Sequence, residues 1–179
     1  MKNDNQRDNN DYFKEYISTA LIILLESKKF QDITITDIAN KAGVSRMTYY
    51  RNYNTKEEIL LKFLDTLFQE YITTLGHYEM IDVKQFAQLY FACFRKNKRF
   101  IEYLVRDDLS YLLLGRYEKY LSQIFLKVSE MIGTPSKYEI AYIAGGLYKI
   151  LIQWIHDGVV ESDEEMAEIF NELIRKPQI

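Results

Sequence analysis

Arg46, Met47, Thr48, Tyr50, Arg51, Asn52 and Lys56 lie within eleven residues of one another and offer guanidinium, thioether, hydroxyl, amide and ammonium groups. That set suits a polyanion with grooves. Arg46 can donate to a guanine edge or a phosphate, Met47 can touch a thymine methyl, and Thr48, Tyr50 and Lys56 can hold phosphate oxygens. A 3.6-residue period puts Arg46, Met47, Tyr50 and Asn54 on roughly one face, with Thr48 and Asn52 flanking it and Tyr49 and Tyr53 on the other side.

Such a face works only if rigid elements present it, and the preceding residues supply them. Thr34 is a good N-cap, Asp37 stands three residues later as a capping box, and Ile33 and Ile38 take the hydrophobic-staple positions. Ile35, Ile38, Ala39 and Ala42 give that helix one apolar face, and Gly43 follows as a C-cap able to take positive φ. Val44 can turn inward as the chain reverses, and Ser45 can cap a second helix after a turn of the length a helix-turn-helix requires.

Thr34, Ile38-Ala39, Ala42-Gly43-Val44-Ser45, Thr48, Tyr50 and Lys56 stand in the order and spacing of an N-terminal pattern. In this the chain resembles the TetR family of bacterial transcriptional regulators. The resemblance implies an all-α homodimer with an N-terminal three-helix helix-turn-helix head and a C-terminal helical bundle, about nine helices altogether. It makes Thr34, Thr36, Ser45, Arg46, Met47, Thr48, Tyr50, Arg51, Asn52 and Lys56 the candidate DNA contacts. Departures from the pattern are Met47 in place of a small residue, Asn52 in place of an aromatic or His, and Tyr53 in place of Phe; they bear on which bases are read. The segments FRKNKRFIEYLVRDDLSYLLL and GGLYKILIQWIHDGVVESDEEMAEIF also resemble a C-terminal domain common in TetR-like regulators from low-GC Gram-positive bacteria.

The whole chain fits that reading. Its 179 residues suffice for a substantial core, and 7 Gly and 2 Pro, with no β-type alternation, point to helices nearly throughout. One Cys, Cys93, excludes an internal disulfide and has no metal-ligand spacing around it. No secretory signal is visible, and the longest charge-free run, Tyr16 to Leu25, is about half the ~20 residues of a membrane span. A cytoplasmic protein is expected, with no membrane partner, metal or cofactor.

Net charge is −3, but residues 1–62 hold 10 Lys and Arg against 9 Asp and Glu, so the acidity belongs to the C-terminal part. With so weak a basic field, phosphate contacts must come from local placement of Arg46, Arg51, Lys56 and helix N-termini. His77 and His156 are far apart, no Gly-rich phosphate loop occurs and no nucleophile sits in a recognisable motif, so no catalytic residue is assigned.

Residues 1–10 read as a disordered tail, in which Lys2 and Arg7 are diluted by Asp4 and Asp8. A head at 11–54 begins with a helix from 11 to about 29 whose inner side holds Phe13, Ile17, Ala20, Leu21, Leu24 and Leu25. A ligand-binding and dimerisation region follows at 55–179, opened by a connecting helix at 55–75. Further helices are expected at 82–96, 98–106, 108–132, 137–157 and from Ser162 to about 174, with a break at Gly133, Thr134 and Pro135.

Phe86, Tyr90, Phe94, Tyr103, Tyr111, Tyr117 and Tyr148, with Gln153 as an orienting group, can line a pocket for a small apolar or aromatic effector, or can simply be core. Segment 137–157 is apolar on more than one side and calls for a second cover. Gly145 and Gly146 fit close approach of a symmetry mate, or room for Tyr117 or Phe91 in the monomer core. In TetR-like proteins the last two helices usually form a four-helix dimer interface, which here implies Gly145, Leu147, Leu151, Trp154, Ile155, Met166, Ile169 and Phe170. The function expected is that of a repressor on a palindromic double-stranded DNA operator, released by an effector; the alternative is a co-activator that docks a partner protein.

Overall fold

The computed structural model describes residues 4–78, 82–132 and 135–175, and every regular element among them is helical. In chain order these are α1 Asp4–Leu25, a short 3-10 turn Phe30–Asp32, α2 Ile35–Ala42, α3 Arg46–Asn52, α4 Lys56–Leu75, α5 Val83–Lys96, α6 Lys98–Arg106, α7 Tyr111–Ile132, α8 Lys137–His156 and α9 Asp163–Arg175. Helix α1 starts at Asp4, so the stretch 4–10, expected as a disordered tail, is helical backbone. No Gly or Pro interrupts residues 1–42. Lys2, Gly133 and Thr134 lie outside the described residues.

The chain divides into two compact units, Met1–Leu64 and Asp65–Ile179. The first takes in the start of α4, ten residues beyond the boundary expected at 54, and there Ile59, Leu60 and Leu64 are fully buried. In this unit α1 packs on α2 and α3, and α2 packs on α3. Ile17, Ala20, Leu21 and Leu25 form the buried side of α1, while Phe13, expected among them, stays 37% exposed.

Tyr49 and Tyr53 turn inward from α3 and are buried. The Tyr53 hydroxyl meets Ser18 Oγ at 3.2 Å and the Lys14 carbonyl at 3.4 Å, tying the end of α3 to α1.

In the second unit α9 packs on α5, α8 packs on α7 and α6, and α6 also meets α5. Its interior is a continuous cluster of rings. Phe68 stacks on Tyr120 at 4.9 Å and meets Tyr117 edge-on at 5.2 Å. Tyr90 meets Phe91 edge-on at 4.9 Å, and Phe91 meets Trp154 at 5.3 Å. Asp65 fastens α4 to α7 by accepting from the Tyr120 hydroxyl at 2.8 Å and pairing with Arg116 at 2.8 Å and Lys119 at 3.3 Å.

Arg95 on α5 closes the α8–α9 corner: its guanidinium donates to Asp163 at 2.7 Å and to the Glu161 carbonyl, and lies 4.8 Å from the Trp154 ring centre. Val159 at that corner has φ +61, a left-handed conformation that costs a β-branched residue about 1–2 kcal/mol. Burial of its side chain and the Arg95 clasp hold it there.

The Tyr49 hydroxyl is buried without a hydrogen-bond partner, and burial pushes its pKa up to about 12. An unpaired buried donor costs about 1–3 kcal/mol, so Tyr49→Phe should stabilise the first unit by about 1 kcal/mol, seen as a higher Tm. A lower Tm would show that the hydroxyl is satisfied in solution.

Candidate nucleic-acid interface

Both helices of the reading pair are set by their ends. At the start of α2 the Thr34 backbone N–H donates to Asp37 Oδ2 at 2.9 Å, and the Asp37 backbone N–H donates to Thr34 Oγ1 at 3.0 Å. Lys28 adds an ion pair to Asp37 at 3.2 Å. Gly43 ends α2 with φ +67, where any Cβ would be strained, and its N–H returns to the Asn40 carbonyl at 3.2 Å. Ser45 then caps α3 by accepting from the Thr48 backbone N–H at 3.0 Å, with the two hydroxyls 2.9 Å apart. The expected caps and turn are all present.

The outward face of α3 consists of Arg46, Met47, Tyr50 and Arg51, with Met47 66% exposed and Tyr50 50% exposed. The Arg51 guanidinium lies 3.6 Å from Met47 Sδ, so the thioether and a cation form one surface. Thr36 and Ser45 are exposed beside it and Thr48 is half-buried. Other candidates are engaged in holding the head together. Asn52 donates from Nδ2 to the Thr48 carbonyl at 2.8 Å, and its Oδ1 is buried. Asn54, expected on the outward face, instead binds Glu58, which accepts its backbone N–H at 2.7 Å.

Lys56 was expected to hold phosphate, yet its ammonium donates to the carbonyls of Phe30 at 2.7 Å and Ile33 at 2.6 Å and lies 4.4 Å from the Phe30 ring centre. The 3-10 turn that presents these partners gave no sequence signal, because three residues carry no period.

Of the eight effector-pocket candidates, three meet one another and the others have separate partners. Tyr90, Phe94 and Tyr117 are buried in the ring cluster, where the Tyr90 and Tyr117 hydroxyls bond each other and Tyr90 also reaches the Leu147 carbonyl at 3.4 Å. Phe86 packs edge-on against Tyr71 at 5.6 Å, Tyr103 lies under the Arg106 guanidinium, and Tyr148 bonds Ser110 at 2.9 Å. Tyr111 is 60% exposed, and Gln153 is exposed and spends its amide on Asp157 at 2.9 Å. Residue type alone named these candidates, and it does not say which other helix each side chain meets.

Six of the eight interface candidates, Leu147, Leu151, Trp154, Ile155, Met166 and Phe170, are buried in the chain's own core. Ile169 is exposed, and the outward side of α8 and α9 is made by Tyr138, Tyr142, Ile169, Leu173 and Ile174 with Gly145 half-buried among them. A Cβ at Gly145 or Gly146 would meet nothing within 4 Å, so making room for Tyr117 or Phe91 is not their role.

Residues 81–176 match the family model TetR_C_8, Transcriptional regulator C-terminal region. The chain belongs to the TetR family of transcriptional regulators. The HTH-type transcriptional regulator EthR of Mycolicibacterium smegmatis is 48% identical over 44 residues, 25% of this chain and 20% of EthR, so the chain matches about a fifth of the curated relatives' length. Among solved structures, Lin0861 from Listeria innocua superposes with a TM-score of 0.81 at 16% identity, covering 95% of this chain and 93% of that one. A TetR transcriptional regulator from Streptococcus agalactiae gives 0.69 at 21% identity, covering 94% and 97%. These likenesses show that the TetR-family fold extends over nearly the whole chain.

Among the described residues no helix is long and apolar enough to cross a membrane, and no group of His, Cys, Asp and Glu is placed to hold a metal ion.

In this TetR-family chain the Asp37 carboxyl is held at about 2, below its ordinary 3.8, first by the Thr34 backbone N–H and then by the Thr34 hydroxyl and Lys28. A carboxylate with a depressed folded pKa adds stability above its unfolded pKa, and loses it as pH falls through the folded value. The stability gap between the natural chain and Asp37→Asn should hold steady above about pH 5 and close between about pH 4 and 2, measured by urea titration at stepped pH. A gap independent of pH would show that the charge adds nothing to the cap.

Proposed function

We propose that this TetR-family chain reads a palindromic DNA operator as a homodimer, with α3 of each protomer in a major groove, and that it represses transcription until a small effector releases it. The observation that supports it most is the outward Arg46–Met47–Tyr50–Arg51 face of α3, set in a pair of short helices whose N-termini are each capped by a side chain. Arg46 is the direct reader of a guanine edge, Met47 covers a thymine methyl, and Tyr50 and Arg51 hold backbone phosphates. Because the first 62 residues carry a net charge of only +1, affinity must come from two heads acting on two half-sites rather than from a broad positive field.

The homodimer is assigned to the outward side of α8 and α9, where Tyr138, Tyr142, Ile169 and Leu173 leave apolar surface uncovered. Gly145 stands in the same stripe with open space over its Cα, so another backbone can approach there. The effector belongs in the second unit, and the density of aromatic rings there suits an apolar or aromatic molecule.

On a duplex selected from a random library by the natural chain, Arg46→Ala should relax base preference at one position of each half-site, costing about 1–3 kcal/mol against the preferred base and little on other sequences. Tyr50→Ala should weaken binding on all sequences alike. Uniform loss from both substitutions would remove the division of labour.

Ile169→Glu should shift the chain toward monomer in sedimentation and weaken operator binding while leaving helix content intact. An unchanged dimer would place the contact elsewhere.

A further inference from the structure

We infer that Lys56 is a positioning residue of the DNA-reading pair, an internal clasp that holds the two ends of the helix-turn-helix together, and that it makes no phosphate contact. The inference rests on the DNA-reading proposal above and assigns one of its residues a different task.

An ammonium has three donors and no acceptor. In this structure it meets three electron-rich partners: the Phe30 carbonyl, the Ile33 carbonyl and the face of the Phe30 ring. Both carbonyls lie within normal hydrogen-bond range, and charge-assisted bonds of this kind are about twice as strong as neutral ones. Swinging the side chain out to a phosphate would uncover both oxygens and the ring together. Burial draws the Lys56 pKa down, and Glu57, Asp32 and Asp37 oppose that pull.

The position of the clasp in the chain defines its task. Ile33 immediately precedes Thr34, the cap of α2, and Lys56 is the first residue of α4, four residues beyond the end of α3. The Lys56–Ile33 bond therefore closes a loop that contains both reading helices. Neither helix has the length to hold its orientation alone. Tyr53 ties the end of α3 to α1, and Lys56 ties the segment before α2 to the segment after α3. With both ends fixed, Arg46, Met47 and Tyr50 are presented at one angle.

The test uses the full chain with Lys56→Met and Lys56→Arg. Amide hydrogen exchange is followed without DNA, and affinity for the duplex selected by the natural chain is measured over a KCl series. A positioning role predicts that amides from Ile33 to Val44 exchange at least tenfold faster in Lys56→Met, and that affinity falls at least tenfold while the slope of log K against log salt stays unchanged. Lys56→Arg should show the same loss, because a planar guanidinium does not fit between the two carbonyls and the ring although its charge is retained.

A phosphate contact predicts the reverse: a slope shallower by about 0.9 per protomer in Lys56→Met, native amide protection, and full affinity in Lys56→Arg. That pattern would overturn the inference. Should the natural chain select no duplex at all, the DNA-reading proposal fails on its own, and the exchange rates of the two variants still decide whether Lys56 holds the pair. Should Lys56→Met lose helix content, Lys56→Arg decides the matter by the same exchange measurement.

Discussion

A helix of eight residues does not hold in water by its own hydrogen bonds, because nucleation costs more than so few bonds return. The face proposed to read DNA nevertheless lies on a helix of seven residues that follows one of eight. Their geometry is therefore governed by what satisfies their ends and covers their inner sides. The reciprocal Thr34–Asp37 bonds, the left-handed Gly43 and the Ser45 cap set where each helix starts and stops. Ile38, Ala39, Tyr49 and Tyr53 then supply the buried sides that lock both to α1.

That constraint divides the polar residues of the head into two groups. A side chain used to close the structure has part of its hydrogen-bonding capacity already engaged. Thr34, Asn52, Asn54 and Lys56 are all polar and all spent on the head itself, on a cap, a helix carbonyl, Glu58 and two loop carbonyls in turn. The outward side of α3 is left with Arg46, Met47, Tyr50 and Arg51, a small surface with two guanidinium groups. So small a surface carries little affinity alone, which is the physical argument for two copies on one duplex.

The second unit solves a different problem. Long helices such as α7 and α8 can each carry more than one buried stripe, and the rings of Phe68, Tyr90, Phe91, Tyr117, Tyr120 and Trp154 pack on one another by edge-to-face contacts and one parallel stack. Their hydroxyls need partners in that apolar setting, and Tyr90 and Tyr117 answer each other while Tyr71 finds the Phe86 carbonyl at 2.9 Å. Leu147, Leu151, Trp154 and Ile155 take the inward side of α8, while Tyr138 and Tyr142 of the same helix stay exposed and Gly145 is half-buried.

Local rules were enough for everything that depends on neighbours within about four residues. The α-helices from α2 onward, the capping boxes at Thr34, Ser136 and Ser162, the left-handed turn at Gly43 and the inward Tyr49 and Tyr53 follow from spacing along the chain, because helix ends and helix faces are set by i to i+3 and i+4 relations. Tertiary structure alone decided what each inward stripe touches. It turned Lys56 onto carbonyls 23 and 26 residues away, placed Tyr111 and Gln153 at the surface and Tyr90 and Tyr117 together in the core, and separated the inner from the outer side of α8 and α9. Those outcomes depend on which segments meet across long stretches of chain, and a period of 3.6 residues contains no information about the partner.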